Sequence, residues 1–106
     1  MKLFFGKKRV QAENRERAKA LHGKCIRYVT ERRGEEEYVL GRSGVISIRG
    51  EEVIVSASSK TVFRVSIRDV NVSYLLSGDG VILRGRNLEA EGAEQEITVH
   101  FVDYIK

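Results

Sequence analysis

Proline and tryptophan are absent from the 106 residues, and cysteine and methionine occur once each. With Cys25 alone, no internal disulfide can form. A lone thiol fits a reducing compartment, so the expectation is cytoplasmic residence, with peripheral membrane association open to a basic chain. Histidine is also scarce, with only His22 and His100. His22 and Cys25 have a metal-like spacing, but a zinc site needs three or four ligands, so neither metal nor cofactor is expected. Long apolar runs are missing too. Leu3, Phe4 and Phe5 are followed at once by Gly6, Lys7, Lys8 and Arg9, too short a stretch for a secretory signal. Nothing approaches the roughly 18 apolar residues of a transmembrane segment, and none is expected.

Catalytic motifs are lacking in the same way. No serine sits in a nucleophile elbow that could meet His22 or His100. The glycine-rich runs Gly41-Arg42-Ser43-Gly44 and Gly78-Asp79-Gly80 do not lead into a helix with a phosphate-loop lysine, so both read as hairpin turns. The acid pairs Glu51 with Glu52 and Glu89 with Glu91 fall in predicted turns and read as solvated surface. An enzyme is not expected.

What is present is charge, unevenly spread. Residues 1–33 hold eleven Lys or Arg against three Glu, a balance of +8, whereas the remainder holds eight against twelve, a balance of −4. Such a basic first third suits an anionic lipid surface or nucleic acid, and it equally suits contact with the chain's own acidic part. The candidate binding residues are Lys7, Lys8, Arg9, Arg15, Arg17, Lys24, Arg27, Arg32 and Arg33. The exposed aromatic platforms of a single-strand nucleic-acid binder are not evident beside them. Arg64, Arg68, Arg84 and Arg86 read as the polar face of a half-solvated sheet.

Residues 8–21 are rich in Ala, Arg, Glu, Gln and Lys and predict a helix of three to four turns, with Gly23 as its stop. Its apolar stripe, Val10, Ala18 and Leu21 interrupted by Asn14 and Arg17, is narrow, so the helix should bury little. After Gly23 the period changes to two and turns recur at short intervals, which predicts strands. In the first strand Ile26, Tyr28 and Thr30 oppose Cys25, Arg27 and Val29. A turn at Arg33-Gly34 leads to a second strand around residues 38–41. Gly41 to Gly44 turns into residues 45–49, and Gly50-Glu51 turns into Val53, Val55 and Ala57. Phe63, Val65 and Ile67 form the clearest inner face. Val70, Val72, Tyr74 and Leu76 share another, and Gly85 marks a bulge or strand end. Residues 87–95 read as a mobile excursion before Ile97, Val99 and Phe101.

The expected fold is therefore mainly β: a small antiparallel bent barrel of seven or eight strands with one N-terminal helix. Residues 1–23 form the basic arm, and 24–106 form the barrel domain.

The stretches 41–48, 53–55 and 62–70, with a glycine-led strand, a tight hairpin and the Arg68-Asp69-Val70 step, resemble pleckstrin-homology-like domains, especially bacterial and GRAM-type ones. The resemblance spans about residues 24–101. It implies that basic residues of the first hairpin, here Lys24, Arg27, Arg32 and Arg33, could face phosphates, although Glu35, Glu36 and Glu37 follow directly and would repel them. The family's C-terminal helix has no counterpart, since the chain ends at Asp103-Tyr104-Ile105-Lys106 after a strand. The N-terminal helix or a second copy is then expected to cover the open barrel end. Together these features point to a non-catalytic binding or assembly module that works through protein contacts, with a protein partner or by self-association. The alternative is an anionic phospholipid-surface or nucleic-acid binder using the basic arm.

Overall fold

A computed structural model describes residues 14–102 of the chain, so Lys7, Lys8, Arg9 and the first half of the expected helix lie outside the described residues. Seven antiparallel strands follow a short helix, α1, at residues 14–19. They are β1 (Cys25–Arg33), β2 (Glu36–Arg49), β3 (Glu52–Ala57), β4 (Lys60–Ser66), β5 (Asn71–Tyr74), β6 (Gly80–Asn87) and β7 (Ala93–Phe101). They form one sheet in the order β4-β3-β2-β1-β7-β6-β5.

The two edge strands of that order, β4 and β5, are consecutive in the chain and joined by residues 67–70. A flat seven-stranded sheet would separate its edges by about 29 Å. A four-residue link spans at most about 18 Å. The sheet must therefore curl until its edges approach, and the curl encloses one apolar core. Ile26, Val29, Ile46, Val53, Val55, Phe63, Val65, Val72, Val81, Leu83, Ile97 and Val99 are all fully or almost fully buried there. The alternation predicted for β3, β4 and β7 is the one observed, with Val53, Val55 and Ala57, then Phe63, Val65 and Ile67, then Ile97, Val99 and Phe101 facing in.

Beyond the short β5, which covers β6 only as far as Arg84, β4 meets the end of β6 without a continuous backbone ladder. Asn87, at the end of β6 and 3 % exposed, accepts from the Arg64 backbone N–H at 3.0 Å and donates to the Val62 carbonyl at 3.2 Å. Its amide also donates to Gln95 Oε1 at 2.6 Å, and its oxygen accepts from the Glu89 N–H at 2.9 Å. One side chain thus satisfies part of the β4 edge. One residue earlier, the Arg86 N–H donates to the Asp69 carboxylate at 2.8 Å. Gly85 immediately precedes Arg86 and Asn87, and a Cβ there would press on Val65 and the Asp69 carbonyl. It is a close-approach position inside β6, neither a bulge nor a strand end.

Four further expectations are corrected. Gly41 to Gly44 is not a turn, because β2 runs unbroken through it for 14 residues. The glycines are there for contact: a Cβ on Gly44 would overlap the Ser56 carbonyl, and one on Gly41 would lie 2.8 Å from the Ala57 Cβ. In β1 the register shifts opposite both neighbours, so Ile26 and Val29, three residues apart, both face the core and Tyr28 points outward. Residues 87–95 are no excursion: β6 ends at Asn87, and a single 3-10 turn at Leu88–Ala90 with two further turn residues leads into β7 at Ala93. Finally, Tyr74 and Leu76 leave the core face, and Leu76 is fully exposed in the β5–β6 turn.

The helical segment contributes more than its narrow stripe suggested, since Ala18 and Leu21 are both 0 % exposed and belong to the core. Gly23, at φ +86°, ends the last turn and points its N–H at the Ile46 carbonyl, while the Ile46 N–H bonds Lys24. The Ile48 N–H donates to His22 Nδ1 at 2.9 Å. On the far side, Asn14 Oδ1 accepts from the Val72 N–H of β5 at 3.3 Å. The segment from residue 14 to 24 thus satisfies backbone groups of β2 beyond its pairing with β1, and of β5. It lies across one opening of the curled sheet.

Candidate functional site

Among the described residues, the basic side chains singled out in the sequence do not converge. Arg15 is paired with Glu51 at 2.5 Å, and Arg17 is exposed beside Tyr74, whose hydroxyl donates to the Arg17 carbonyl at 3.3 Å. Lys24 Nζ sits 5.3 Å above the Phe101 ring, and Arg27 is exposed at the irregular part of β1. Arg33 binds Glu31 at 2.8 Å and covers the Tyr38 ring at 4.7 Å, while Arg32 lies opposite Glu37. Lys24 and Arg33 stand at opposite ends of β1, roughly 25–30 Å apart. Lys24 and the adjacent pair Arg32 and Arg33 therefore do not face one common point.

The second group of arginines is neutralised in place. Arg64 bridges Glu89 at 2.7 Å and Glu52 at 3.1 Å, and these two carboxylates hold its proton more firmly than usual. Arg68, Arg84 and Arg86 face Glu51, Glu94 and Asp69.

Chemistry-bearing side chains are likewise dispersed. Among the described residues no three His, Cys, Asp or Glu groups gather as a metal site. His100 stacks on Tyr28 with ring centroids 4.4 Å apart. Cys25 and Asp79 line a cleft of about 530 Å³ with Lys24, Ser77 and Phe101; no imidazole lines it, and the Ser77 hydroxyl donates to the Asp79 carboxylate. No helix among the described residues is long and apolar enough to cross a membrane.

One feature stands out by what it leaves open. β2 is paired with β3 only from Gly44 onward, whereas β1 accompanies it back to Glu36. Ser58 closes the β3 side, since its N–H donates to the Arg42 carbonyl at 2.7 Å and its hydroxyl accepts from the Arg42 N–H at 2.9 Å. From residue 41 back to 36, among the described residues, no strand lies along that edge. Such an overhang presents unpaired N–H and C=O groups in a row.

The side chains of this overhang divide between two faces. Val39 lies opposite Thr30, whose hydroxyl donates to Glu37 at 2.9 Å, so Glu37 and Val39 share one face. Glu36 and Tyr38 share the other, with the tyrosine hydroxyl donating to Glu36 at 2.5 Å. That bond, and then burial, raise the Tyr38 pKa above its ordinary value, against the opposing charge of Arg33. Tyr38 is 41 % and Val39 48 % exposed, large values for apolar strand residues. Beside them, Leu40 opens onto a cleft of about 330 Å³ whose other walls include Lys60, Val62, Asn87 and Gln95.

The sequence reading missed this site because it ended the strand at Gly41. The signal present in the sequence was the run of three glutamates leading straight into Tyr38 and Val39. No family model matches the chain, nor does any curated protein or solved structure.

Proposed function

We propose that this chain is a non-catalytic binding and assembly module acting through protein contacts, and that its contact surface is the open edge of β2 at residues 36–41. The observation that carries the reading is the mismatch in pairing: β1 runs along β2 to Glu36, while β3 stops at Gly44. A strand from another chain added there would satisfy the unpaired backbone groups, cover Tyr38 and Val39, and place a side chain in the cleft beside Leu40.

The same reading takes the fold as a pleckstrin-homology-like barrel in a reducing, cytoplasmic setting. A seven-stranded sheet that curls until Asn87 bridges its edges, with a helix over one opening, supports the barrel. The lone thiol supports the setting.

The test is site-directed photo-crosslinking in cells, with the photoreactive side chain at Val39 or, as control, at Ser73 on β5. Protein adducts that form from position 39 and not from 73 are expected. Absence of adducts at 39, or equal labelling at both, overturns the reading.

A further inference from the structure

The open edge of β2 also carries a charge pattern that selects among extended partners, and this inference rests on the edge being a protein-binding surface. Glu36 and Glu37 are exposed and, among the described residues, neither is within ion-pair distance of a cation, although Arg33 and Arg32 lie opposite them on β1; each accepts only a hydroxyl, from Tyr38 and Thr30 respectively. Glu35, also exposed, precedes them in the turn. Consecutive strand residues point to opposite faces, so each face of the overhang shows one carboxylate followed by one apolar side chain: Glu37 then Val39, and Glu36 then Tyr38.

We infer that the partner is an extended peptide segment in which two consecutive basic residues adjoin two consecutive apolar ones. Laid beside β2, such a segment places a cation opposite Glu36 and Glu37 on each face and an apolar group opposite Tyr38 and Val39 on each face. Run antiparallel it reads apolar-apolar-basic-basic, and run parallel it reads in the reverse order. The cleft of about 330 Å³ between Leu40 and Val62 receives the next side chain of the added strand. A second copy of β2 fits less well, because it brings two more glutamates into the same narrow ribbon, and like charges across a strand pair repel. An acidic partner fails for the same reason.

Backbone pairing supplies the attachment, and the two glutamates supply the choice of partner.

The experiment is an NMR titration of the full chain with two blocked hexapeptides, Thr-Val-Phe-Lys-Lys-Thr and its counterpart with both lysines replaced by glutamate. The expected result is that the lysine peptide shifts and protects amides within residues 36–41. It should bind about tenfold more tightly than the glutamate peptide. The preference should weaken with added salt and reverse in Glu36→Lys/Glu37→Lys. Equal binding of both peptides at this edge, or preference for the acidic one, overturns the inference while leaving an edge that binds protein. Binding of both peptides elsewhere, or no binding together with amides at 36–41 that are all protected in the free chain, overturns the edge itself.

Discussion

The side-chain amide of Asn87 accepts from the Arg64 N–H and reaches the Val62 carbonyl on the same strand, so it occupies the place a backbone would take in a closed ladder. All its hydrogen-bonding capacity is spent within the fold, on Arg64, Glu89, Val62 and Gln95.

Replacing Asn87 with Ala strands an N–H and a carbonyl of β4 in a half-buried place. The expected loss is about 1–3 kcal/mol in urea denaturation, more than an exposed substitution produces. A loss below about 0.5 kcal/mol would mean that the edges are held together by something else.

Leu21 lies in the segment that looked least like core. Because it is fully buried among the strand side chains, Leu21→Ala should cost about 2–4 kcal/mol, whereas Arg17→Ala, on the exposed face of α1, should change stability by less than about 0.5 kcal/mol. Thermal or urea melts of the two variants separate a core role for the arm's end from a solvent-facing one.

Gly44 tests the continuous course of β2. A methyl group there meets the Ser56 backbone, which cannot rotate away as a side chain would, so Gly44→Ala should destabilise by about 3 kcal/mol or more. Were Gly44 in a solvent-facing turn, the same change would cost far less.

Tyr74 sets an alkaline limit. Burial raises its pKa above the ordinary 10.0, and nearby Arg17 only partly opposes this. The folded state therefore holds this proton more tightly than the unfolded state does. Its contribution to stability is complete below about pH 10 and is lost as pH rises through the higher folded value. Absorbance titration of tyrosinate should show late components from both Tyr38 and Tyr74 in the wild type, and Tyr74→Phe should remove one of them while leaving the other. A Tyr74 component at or below the ordinary value would contradict the assignment.

Much of the fold was legible where one physical cause governs each residue. In β3, β4 and β7 one face meets the core and one meets water, so alternation alone located Val53, Phe63, Val65, Ile97 and Val99. It failed where a residue answers to a distant neighbour. Gly41 and Gly44 look like turn glycines, but their constraint is Ala57 and Ser56 across the sheet. The register shifts in β1 reverse the faces of Val29 and Tyr28, and no local propensity announces them. Asn87 heads an acidic, unpatterned stretch, and its role depends on β4, more than twenty residues earlier in the chain.

The candidate site was legible only in pieces. The glutamates at 35–37 were noted as an obstacle to phosphate, and Tyr38 was placed on a strand, but the open edge follows from β3 ending at Ala57 while β2 reaches back to Glu36. Of the basic residues named as candidate binders, Lys7, Lys8 and Arg9 lie outside the described residues, while Arg17, Lys24, Arg27, Arg32 and Arg33 are exposed. Their dispersal is a consequence of β1, which sets Lys24 and Arg33 at opposite ends.

The most direct test of the central claim is amide hydrogen exchange of the free full chain, read residue by residue along β2. Alternate amides within 36–41 should exchange rapidly, because they point away from β1 with no strand beside them among the described residues, while the amides of Val45, Ile46 and Ile48 stay protected by β3, by the carbonyl of Lys24 and by His22. Uniform protection from residue 36 through 48 would contradict the account, because it would mean that the edge assigned to a partner is already paired.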